Sequence, residues 1–354
     1  MRRIGKRIPY CYEATRSVLA AATAAMLLAG VIVRGVTAAS HGGPGDGAEG
    51  RPTPGQSSPA EKLRAKEAAA DHARAERFSA LIVKLKPFAA KLAKPDPSDW
   101  LANHPEKGQT FRDYLACDPT RPTEARGTIY VQPLGEFTST QRKLVKLAAE
   151  AVAVWFNVPT KFSGDLKLDV VPEAVRRKNP YTGQEQLLTR HILDRVLKPR
   201  LPRDAVAYIC FTAADLWPGQ GWNFVFGQAS PEERVGVWSI ARFGDPDGSD
   251  ESFRLVLLRT LKLATHEIGH ILSLAHCTAY ECNMNGCNSL DESDRHPLAL
   301  CPECLAKLCW ATRAEPAGRY RELIEFCGRG GLKPETETYE KLLAAIEGMK
   351  TETD

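Results

Sequence analysis

The sequence predicts an α/β or α+β fold in which helices cover a mixed, twisted sheet. Between residues 127 and 274, segments with the apolar alternation of strands are interleaved with segments whose apolar residues recur at helical spacing. This order of elements is typical of helices packed on a sheet. The chain has 354 residues, which is enough to bury a sizeable core.

The N-terminus carries a candidate targeting segment. Basic residues flank an uncharged, mostly apolar run at residues 17–33, and small residues suitable for cleavage follow at residues 36–39. The run is short for a spanning helix and slightly long for the apolar part of a signal peptide. We predict a signal peptide or signal anchor over residues 1–39, with an alanine-rich soluble helix as the alternative. Export or membrane anchoring follows from this prediction, and a cytoplasmic location follows from the alternative.

A linker and a charged helix are predicted for residues 40–95. Gly, Pro and Ser dominate residues 40–57, as in flexible linkers. A helix is predicted to begin after Ser58, because Ser58 and Glu61 form an S-x-x-E capping box and Pro59 suits the first helical position. Only its later part is apolar, so we expect a solvated helix that docks at its end.

Residues 96–330 are predicted to form the globular domain, and residues 331–354 a polar helix and tail. The elements predicted from periodicity are, in order, strand 127–134, helix 138–156, strand 165–171, helix 186–197, strands 205–212, 222–230 and 235–242, and helices at about 250–274, 319–326 and 338–349. The net charge of +4 is small for this length, and no dense basic patch is present. We therefore predict no nucleic-acid partner.

The helix at residues 250–274 carries an HExxH segment. Its histidines, His266 and His270, lie four residues apart on one helix face, where both imidazoles can bind one Zn²⁺. Glu267 lies beside them as a candidate general base, and His276 follows at the position of a third ligand. A catalytic zinc site with Glu267 as catalytic residue is predicted; incidental histidines on a charged helix face are the alternative.

Cysteines cluster directly after this segment. The chain has ten, and six of them lie between Cys277 and Cys309. A C-x4-C pair and a C-x2-C pair (Cys277, Cys282, Cys301 and Cys304) fit a closed, structural zinc site better than disulfides. We expect five of the other six to be buried thiols, namely Cys117, Cys210, Cys287, Cys309 and Cys327.

Residues 265–308 resemble the archaemetzincins, a metallopeptidase family of the metzincin clan. The family pattern is HExxHxxGxxHC-x4-C-x-M with a later C-x-x-C, and Met284 matches its methionine. The resemblance extends upstream through DWLANHP, GTIYVQPLG, LPRDAVAYICFTAADLWP and WNFVFGQAS, so that it covers about residues 96–326. One position departs from the pattern, because Ser273 stands where the family has glycine.

The resemblance implies a metzincin-like fold with two zinc ions per chain, one catalytic and one structural. It implies that Met284 forms a Met-turn beneath the catalytic metal, and that a small helical C-terminal subdomain contains the four-cysteine knot. It also implies an edge strand that pairs with an extended substrate. The substrate-binding residues implied there are Phe226, Gly227, Gln228 and Ala229.

The function predicted is that of a zinc-dependent peptidase acting on peptide or protein substrates, with aminopeptidase action on small peptides suggested by some family members. A zinc-stabilised peptide-binding module with weak or lost catalysis is the alternative, because Ser273 must accept a backbone conformation that glycine adopts freely. That conformation costs serine about 1 kcal/mol, which is small beside zinc-binding free energies of roughly 10 kcal/mol. We expect His276 to bind zinc despite Ser273, and we expect a monomer.

Overall fold

A computed structural model describes residues 58–348 of the chain. The predicted targeting segment, the linker at residues 40–57 and the last residues of the tail lie outside the described residues. The chain divides into two compact units, and the boundary within the described part falls between Arg74 and Ala75. No helix within residues 58–348 has the length and apolar surface that a bilayer-spanning segment needs.

The strands of residues 58–348 form two sheets. They are β1 (Thr128–Leu134), β2 (Thr160–Phe162), β3 (Arg176–Lys178), β4 (Glu185–Leu188), β5 (Ala205–Thr212), β6 (Asp215–Trp217), β7 (Gly227–Ser230) and β8 (Val235–Ser239). The main sheet has five strands in the order β2-β1-β5-β8-β7, and the smaller sheet has the order β3-β4-β6. Strand β7 lies at one edge of the main sheet and is its antiparallel member, because the other pairings are parallel. The predicted mixed sheet is confirmed.

The α-helices of residues 58–348 follow in chain order. They are α1 (Pro59–Leu85), α2 (Trp100–Asn103), α3 (Phe111–Ala116), α4 (Ser139–Phe156), α5 (Thr189–His191, continued as a π-helix over Ile192–Leu197), α6 (Asp250–Ile271), α7 (Leu290–Arg295), α8 (Pro302–Thr312), α9 (Pro316–Gly330) and α10 (Lys333–Gly348). Helix α6, which carries the HExxH segment, packs against α4 and against the edge strand β7. The fold is therefore a mixed α/β arrangement that places this helix beside the sheet edge.

Strand β5 is buried on both faces. Ile209 and Phe211 face the larger apolar core with α4 and α6, whereas Tyr208 and Cys210 face a second core formed with Val196 of the π-helix and its neighbours. Burial on both sides is typical of a parallel strand covered by helices. Burial on both faces explains why this segment is a continuous apolar run in the sequence. The strand predicted there is confirmed.

Side-chain caps fix several helix starts where the sequence predicts them. The Ser58 backbone N–H donates to Glu61 at 2.7 Å and the Glu61 N–H donates to Ser58 Oγ at 3.2 Å, so the predicted capping box is present. Thr138 caps α4 with Gln141 in the same reciprocal way. Helix α1 ends at Leu85, before the end of the segment 40–95 predicted as linker and charged helix, because Pro87 cannot continue an α-helix.

The strand predicted at residues 165–171 is wrong. Leu166 makes one isolated bridge with Leu134, and the following residues form a 3-10 turn over Leu168–Val170. The Arg176 side chain donates hydrogen bonds to the carbonyls of Val171 and Leu168 at 2.7 and 2.8 Å, which engages these groups outside a sheet ladder. The actual strand, β2, lies earlier in the sequence.

The helix predicted at residues 186–197 begins too early. Residues Gln186–Leu188 belong to strand β4, which pairs in parallel with β6. The buried Gln186 amide donates to Asp215 of β6 at 2.8 Å, a contact between residues 29 positions apart. Strands β3 and β6, which the sequence did not predict, belong to the same small sheet.

The strands predicted at residues 222–230 and 235–242 are too long. Arg177 donates to the carbonyls of Trp222 and Asn223 at 3.0 and 2.9 Å, so the chain before Gly227 forms a loop held to β3. Strand β8 ends at Ser239, whose hydroxyl donates to the Ala214 carbonyl at 2.7 Å. The helices predicted around residues 319–326 and 338–349 are confirmed as the longer α9 and α10.

Candidate active site and cysteine cluster

The HExxH helix ends immediately after its second histidine. Helix α6 runs to Ile271, and Ser273 then adopts a φ of 69°. The Leu274 N–H returns to the Gly269 carbonyl at 2.9 Å, which closes the helix with a left-handed residue. This turn directs the chain back toward the helix, so that His276 reaches the same point in space as His266 and His270.

The three histidines form one cluster. The ligand atoms that they offer all lie within 4.8 Å of one another, and the His266 and His270 Nε2 atoms are 2.9 Å apart. The ring centroids of the three imidazoles are separated by 4.5, 5.3 and 4.9 Å. The structure thus brings together the three predicted ligands of the catalytic zinc.

Hydrogen bonds at the opposite ring nitrogens fix which way these imidazoles face. His266 Nδ1 lies 2.8 Å from the Asn283 carbonyl oxygen, and His270 Nδ1 lies 2.6 Å from the Leu274 carbonyl oxygen. Carbonyls only accept, so each Nδ1 must carry the proton and donate it. Both Nε2 atoms then present lone pairs at 2.9 Å from each other, which is repulsive unless a cation lies between them. This donor set fits zinc, which accepts neutral imidazole nitrogens.

The third histidine is supported differently. His276 Nδ1 lies 3.0 and 2.9 Å from the two carboxylate oxygens of Glu106, and Trp100 Nε1 donates to Glu106 Oε1 at 2.8 Å. Burial alone would raise the pKa of Glu106, but the hydrogen bonds from His276 and Trp100 hold the pKa below its ordinary value. Glu106 was not predicted, because a single glutamate in a loop 170 positions before His276 has no distinguishing sequence pattern.

Burial shifts the pKa values of His266, His270 and Glu267 toward the neutral form of each side chain. Loss of water, with a smaller effect of the neighbouring imidazoles, lowers the pKa of His266 well below its ordinary value and that of His270 to about 3. Loss of water around the Glu267 carboxyl raises its pKa to about 7. Neutral imidazoles are the form that ligates a metal, and a carboxylate with a pKa near neutrality is suited to accept and return a proton.

Met284 lies beneath this helix and is fully buried. A side chain at Gly269, between Glu267 and His270, would come within 2.7 Å of the Met284 sulfur, so the methionine packs directly on the helix backbone. The Met284 carbonyl also accepts the Cys277 N–H at 2.7 Å. Met284 is therefore in contact with the histidine helix and with the start of the cysteine cluster.

The four paired cysteines also meet at one point. Their sulfur atoms lie within 4.8 Å of one another, and those of Cys277 and Cys301 are 3.7 Å apart. A tetrahedral Zn–S distance of about 2.3 Å corresponds to a sulfur separation of roughly 3.8 Å. The thiols are free and buried. The separation and the donor type both fit zinc.

Backbone donors surround the cysteine sulfurs. The Met284 and Cys301 N–H groups donate to Cys282 Sγ at 3.5 and 3.3 Å, and the Cys304 N–H donates to Cys301 Sγ at 3.5 Å. Hydrogen bonds from the other three thiols hold the pKa of Cys277 below its ordinary value. Burial raises the pKa of Cys282, and hydrogen bonding with Cys277 raises that of Cys301. Without a cation, the four buried sulfurs cannot all be thiolates.

The remaining cysteines only partly match the expectation of buried thiols. Cys210, Cys309 and Cys327 are buried and free, and burial raises the pKa of each. Cys287 is free but half-buried. Cys117 is half-buried and disulfide-bonded, so the prediction of a free buried thiol at this position is wrong.

The predicted substrate residues lie at the sheet edge next to the histidine helix. Gly227, Gln228 and Ala229 form most of strand β7, and Phe226 immediately precedes it. The Phe226 ring stacks on Phe243 with centroids 5.8 Å apart, and the Gln228 amide oxygen accepts a hydrogen bond from the Thr189 hydroxyl. The predicted edge strand is thus in place.

Comparisons with known proteins agree with this site. Residues 204–309 match Peptidase family M54. Archaemetzincin-2 of Rattus norvegicus is 35% identical over 277 residues, which cover 68% of this chain and 77% of the relative. Archaemetzincin-2 of Homo sapiens is 35% identical over 266 residues, which cover 65% of this chain and 72% of the relative.

The chain belongs to the archaemetzincin family. This archaemetzincin is also similar to a solved archaemetzincin of Archaeoglobus fulgidus, with 28% identity and a TM-score of 0.40 over 51% of this chain and 99% of that one. The solved archaemetzincin of Methanopyrus kandleri gives 27% identity and a TM-score of 0.42 over 55% and 99%. Membership of the family makes the protein a zinc metallopeptidase whose substrates are peptides or proteins.

Proposed function

We propose that the protein hydrolyses peptide bonds at a catalytic zinc held by His266, His270 and His276. The observation that carries this proposal is the pair of Nε2 lone pairs 2.9 Å apart, each fixed by a carbonyl behind it. When bound, zinc supplies a Lewis acid that polarises the peptide carbonyl and acidifies water. Glu267 accepts the proton of the attacking water and returns it to the leaving amine, as general base and then general acid.

The substrate is proposed to bind as an extended strand along β7. This strand is the outer member of the main sheet on its side, packs against the HExxH helix, and has half-buried residues throughout. An added strand would be held mainly by backbone hydrogen bonds, with side-chain pockets giving selectivity. This arrangement, with Met284 packed under the HExxH helix, is consistent with the metzincin-like architecture that the family resemblance implies.

A second, structural zinc is proposed at Cys277, Cys282, Cys301 and Cys304. Four sulfurs fill a tetrahedral zinc and leave no position for water, so this site stabilises without reacting. Metal analysis should give two zinc ions per chain, and Cys301→Ser together with Cys304→Ser should lower the count. A count of one in the unaltered protein would contradict the two-site proposal.

The test of catalysis is Glu267→Gln. The amide keeps the size of the side chain but cannot accept the proton, so hydrolysis of a peptide library should fall by roughly 100-fold or more while zinc content stays unchanged. Unchanged hydrolysis would refute the role of Glu267. Peptides with free and acetylated N-termini, compared in the same assay, distinguish the proposed aminopeptidase from an endopeptidase. The binding-module alternative is not favoured, because Ser273 takes the required conformation and His276 joins the cluster.

A further inference from the structure

Glu106 supports the histidine cluster in a way that differs from the backbone groups around it. His266 and His270 each donate to a neutral backbone carbonyl, whereas His276 donates to the carboxylate of Glu106 at 2.9 and 3.0 Å. A carboxylate behind a ligating imidazole fixes its orientation and tautomer and makes it a stronger electron donor. His276 needs such support most, because it lies in the loop after α6 and the other two histidines lie on the helix itself.

The carboxylate of Glu106 is itself held in position. Trp100 Nε1 donates to Glu106 Oε1 at 2.8 Å, and the Trp100 ring meets the His276 ring edge-on with centroids 5.4 Å apart. The Trp100 backbone N–H donates to Glu292 at 2.8 Å. On its other side, the indole lies so close to Gly286 that a Cβ there would come within 2.4 Å of it. Contacts on several sides therefore place the indole, and the indole places the carboxylate.

We propose that Glu106 is the positioning residue of the third zinc ligand, and that Trp100, packed on Gly286, holds its carboxylate behind His276. Glu106 touches neither substrate nor metal in this proposal and acts through His276. The proposal rests on the zinc site proposed above. It goes further, because it assigns part of the zinc affinity of that site to Glu106, a loop residue 170 positions before His276.

The test measures zinc affinity at the histidine site. The more weakly bound zinc ion, that of the histidine site, is first removed from the full-length protein. Rebinding of zinc is then followed by competition with a chelating dye. Glu106→Gln keeps a hydrogen-bond acceptor but loses the charge, so affinity should fall about 10-fold; Glu106→Ala loses both, so affinity should fall by up to about 100-fold. Trp100→Phe, which loses the indole N–H and part of the ring packed on Gly286 but leaves the Glu106 carboxylate in place, should give a smaller loss in the same direction.

The matched control is Glu303→Gln. Glu303 accepts the Phe111 backbone N–H at 2.7 Å and so anchors the chain shortly after Glu106, but within the described part of the chain it has no hydrogen bond to a histidine of the cluster. The zinc affinity of Glu303→Gln should stay within roughly two-fold of that of the unaltered protein. A large loss of affinity is expected only when the substituted residue is hydrogen-bonded to a zinc ligand. Cobalt as a substitute metal adds a spectroscopic check, because only the cysteine site gives thiolate-to-cobalt charge-transfer bands.

The outcomes distinguish a positioning role for Glu106 from a purely structural one. Unchanged zinc affinity in Glu106→Gln and Glu106→Ala would overturn the proposal, as would an equal loss in Glu303→Gln. A loss of the cysteine-site cobalt bands together with a lower melting temperature would also overturn it, because it would mean that Glu106 only holds the fold together. If the unaltered protein binds no zinc at its histidines, it is the proposed function that fails, and this inference fails with it.

Discussion

At the scale of single residues, the departure from the family pattern at Ser273 has a structural explanation. Its φ of 69° is the conformation that glycine adopts without strain. The Ser273 hydroxyl accepts the Thr120 N–H at 3.0 Å, a hydrogen bond that glycine cannot make. Gln109 secures the same turn by donating to the Ser273 carbonyl at 3.2 Å and accepting the Ala275 N–H at 3.1 Å. The loop is therefore tied in place on both sides of Ser273.

Ser273→Gly should leave zinc content unchanged and alter stability by less than about 1 kcal/mol. Removing the strain contributes about 1 kcal/mol, and losing the hydroxyl hydrogen bond costs about the same. Ser273→Ala keeps the strain and loses the hydrogen bond, so it should be destabilised by about 1 kcal/mol in urea unfolding. A large gain in zinc on substitution with glycine would show that the serine impairs the site.

Gly269→Ala should destabilise the protein by about 1–3 kcal/mol, because the new methyl group would meet the Met284 sulfur at 2.7 Å. The matched control is Gly328→Ala, also within a helix; apart from its chain neighbours and the backbone of its own helix, no atom of the described residues lies within 4 Å of the added carbon. That change should stabilise by up to about 1 kcal/mol through helix propensity. Thermal unfolding of both variants measures the difference, and equal shifts would contradict the packing described for Met284.

At the scale of elements, the histidine helix is anchored at both ends. Ser249 caps its start by accepting the Ser252 N–H, and acidic residues occupy its first turn. At the other end, Tyr114 donates its hydroxyl hydrogen to the Leu272 carbonyl at 2.9 Å, and burial raises the pKa of this tyrosine. A side chain therefore satisfies one backbone group at each end of the helix that carries the histidines.

Ser249→Ala should cost about 1 kcal/mol of stability through loss of the cap. Zinc affinity should stay the same, because the cap and His266 stand at opposite ends of a helix of 22 residues. Urea unfolding and zinc competition on the same preparation check both statements. A drop in zinc affinity comparable to that of a histidine substitution would mean that the helix transmits strain from its start to the site.

Elements defined by local signals were predictable, whereas those defined by distant partners were not. The HExxH helix, the capping box at Ser58 and the doubly buried strand Ala205–Thr212 follow from spacing and composition. The segment before Gly227 looks like a strand in sequence, but Arg177 holds it as a loop. Glu106 and the small sheet escaped prediction for the same reason, because only the fold brings Glu106 to His276 and Gln186 to Asp215.

At the scale of the whole molecule, the histidine cluster and the cysteine cluster, the two proposed zinc sites, adjoin through consecutive residues. His276 belongs to the histidine cluster and Cys277 to the cysteine cluster. The buried Asn285 amide donates to the carbonyls of Cys277 and Tyr280 at 2.7 and 3.0 Å, which fixes the loop between the first cysteine pair. The segment after α1 also holds this loop. The Leu92 N–H donates to the Ala279 carbonyl, and the Ala90 carbonyl accepts the Glu281 N–H. The cysteine cluster therefore supports the third histidine.

This arrangement predicts the direction in which a ligand substitution at one cluster affects the other. Cys304→Ser should weaken zinc binding at both sites, because a cysteine loop that has lost a zinc ligand no longer holds His276 in place. His270→Ala should remove only the histidine-site zinc, since the cysteine loop has its own hydrogen bonds. Metal analysis of the two variants tests this, and a loss of both zinc ions in His270→Ala would contradict the assigned direction.

The most direct measurement of the proposed two-metal architecture is anomalous X-ray scattering at the zinc absorption edge from crystals of the protein. Two peaks are expected: one bounded by the Nε2 atoms of His266, His270 and His276, and one bounded by the sulfurs of Cys277, Cys282, Cys301 and Cys304. A histidine cluster without a peak, or a peak there that excludes His276, would contradict this architecture.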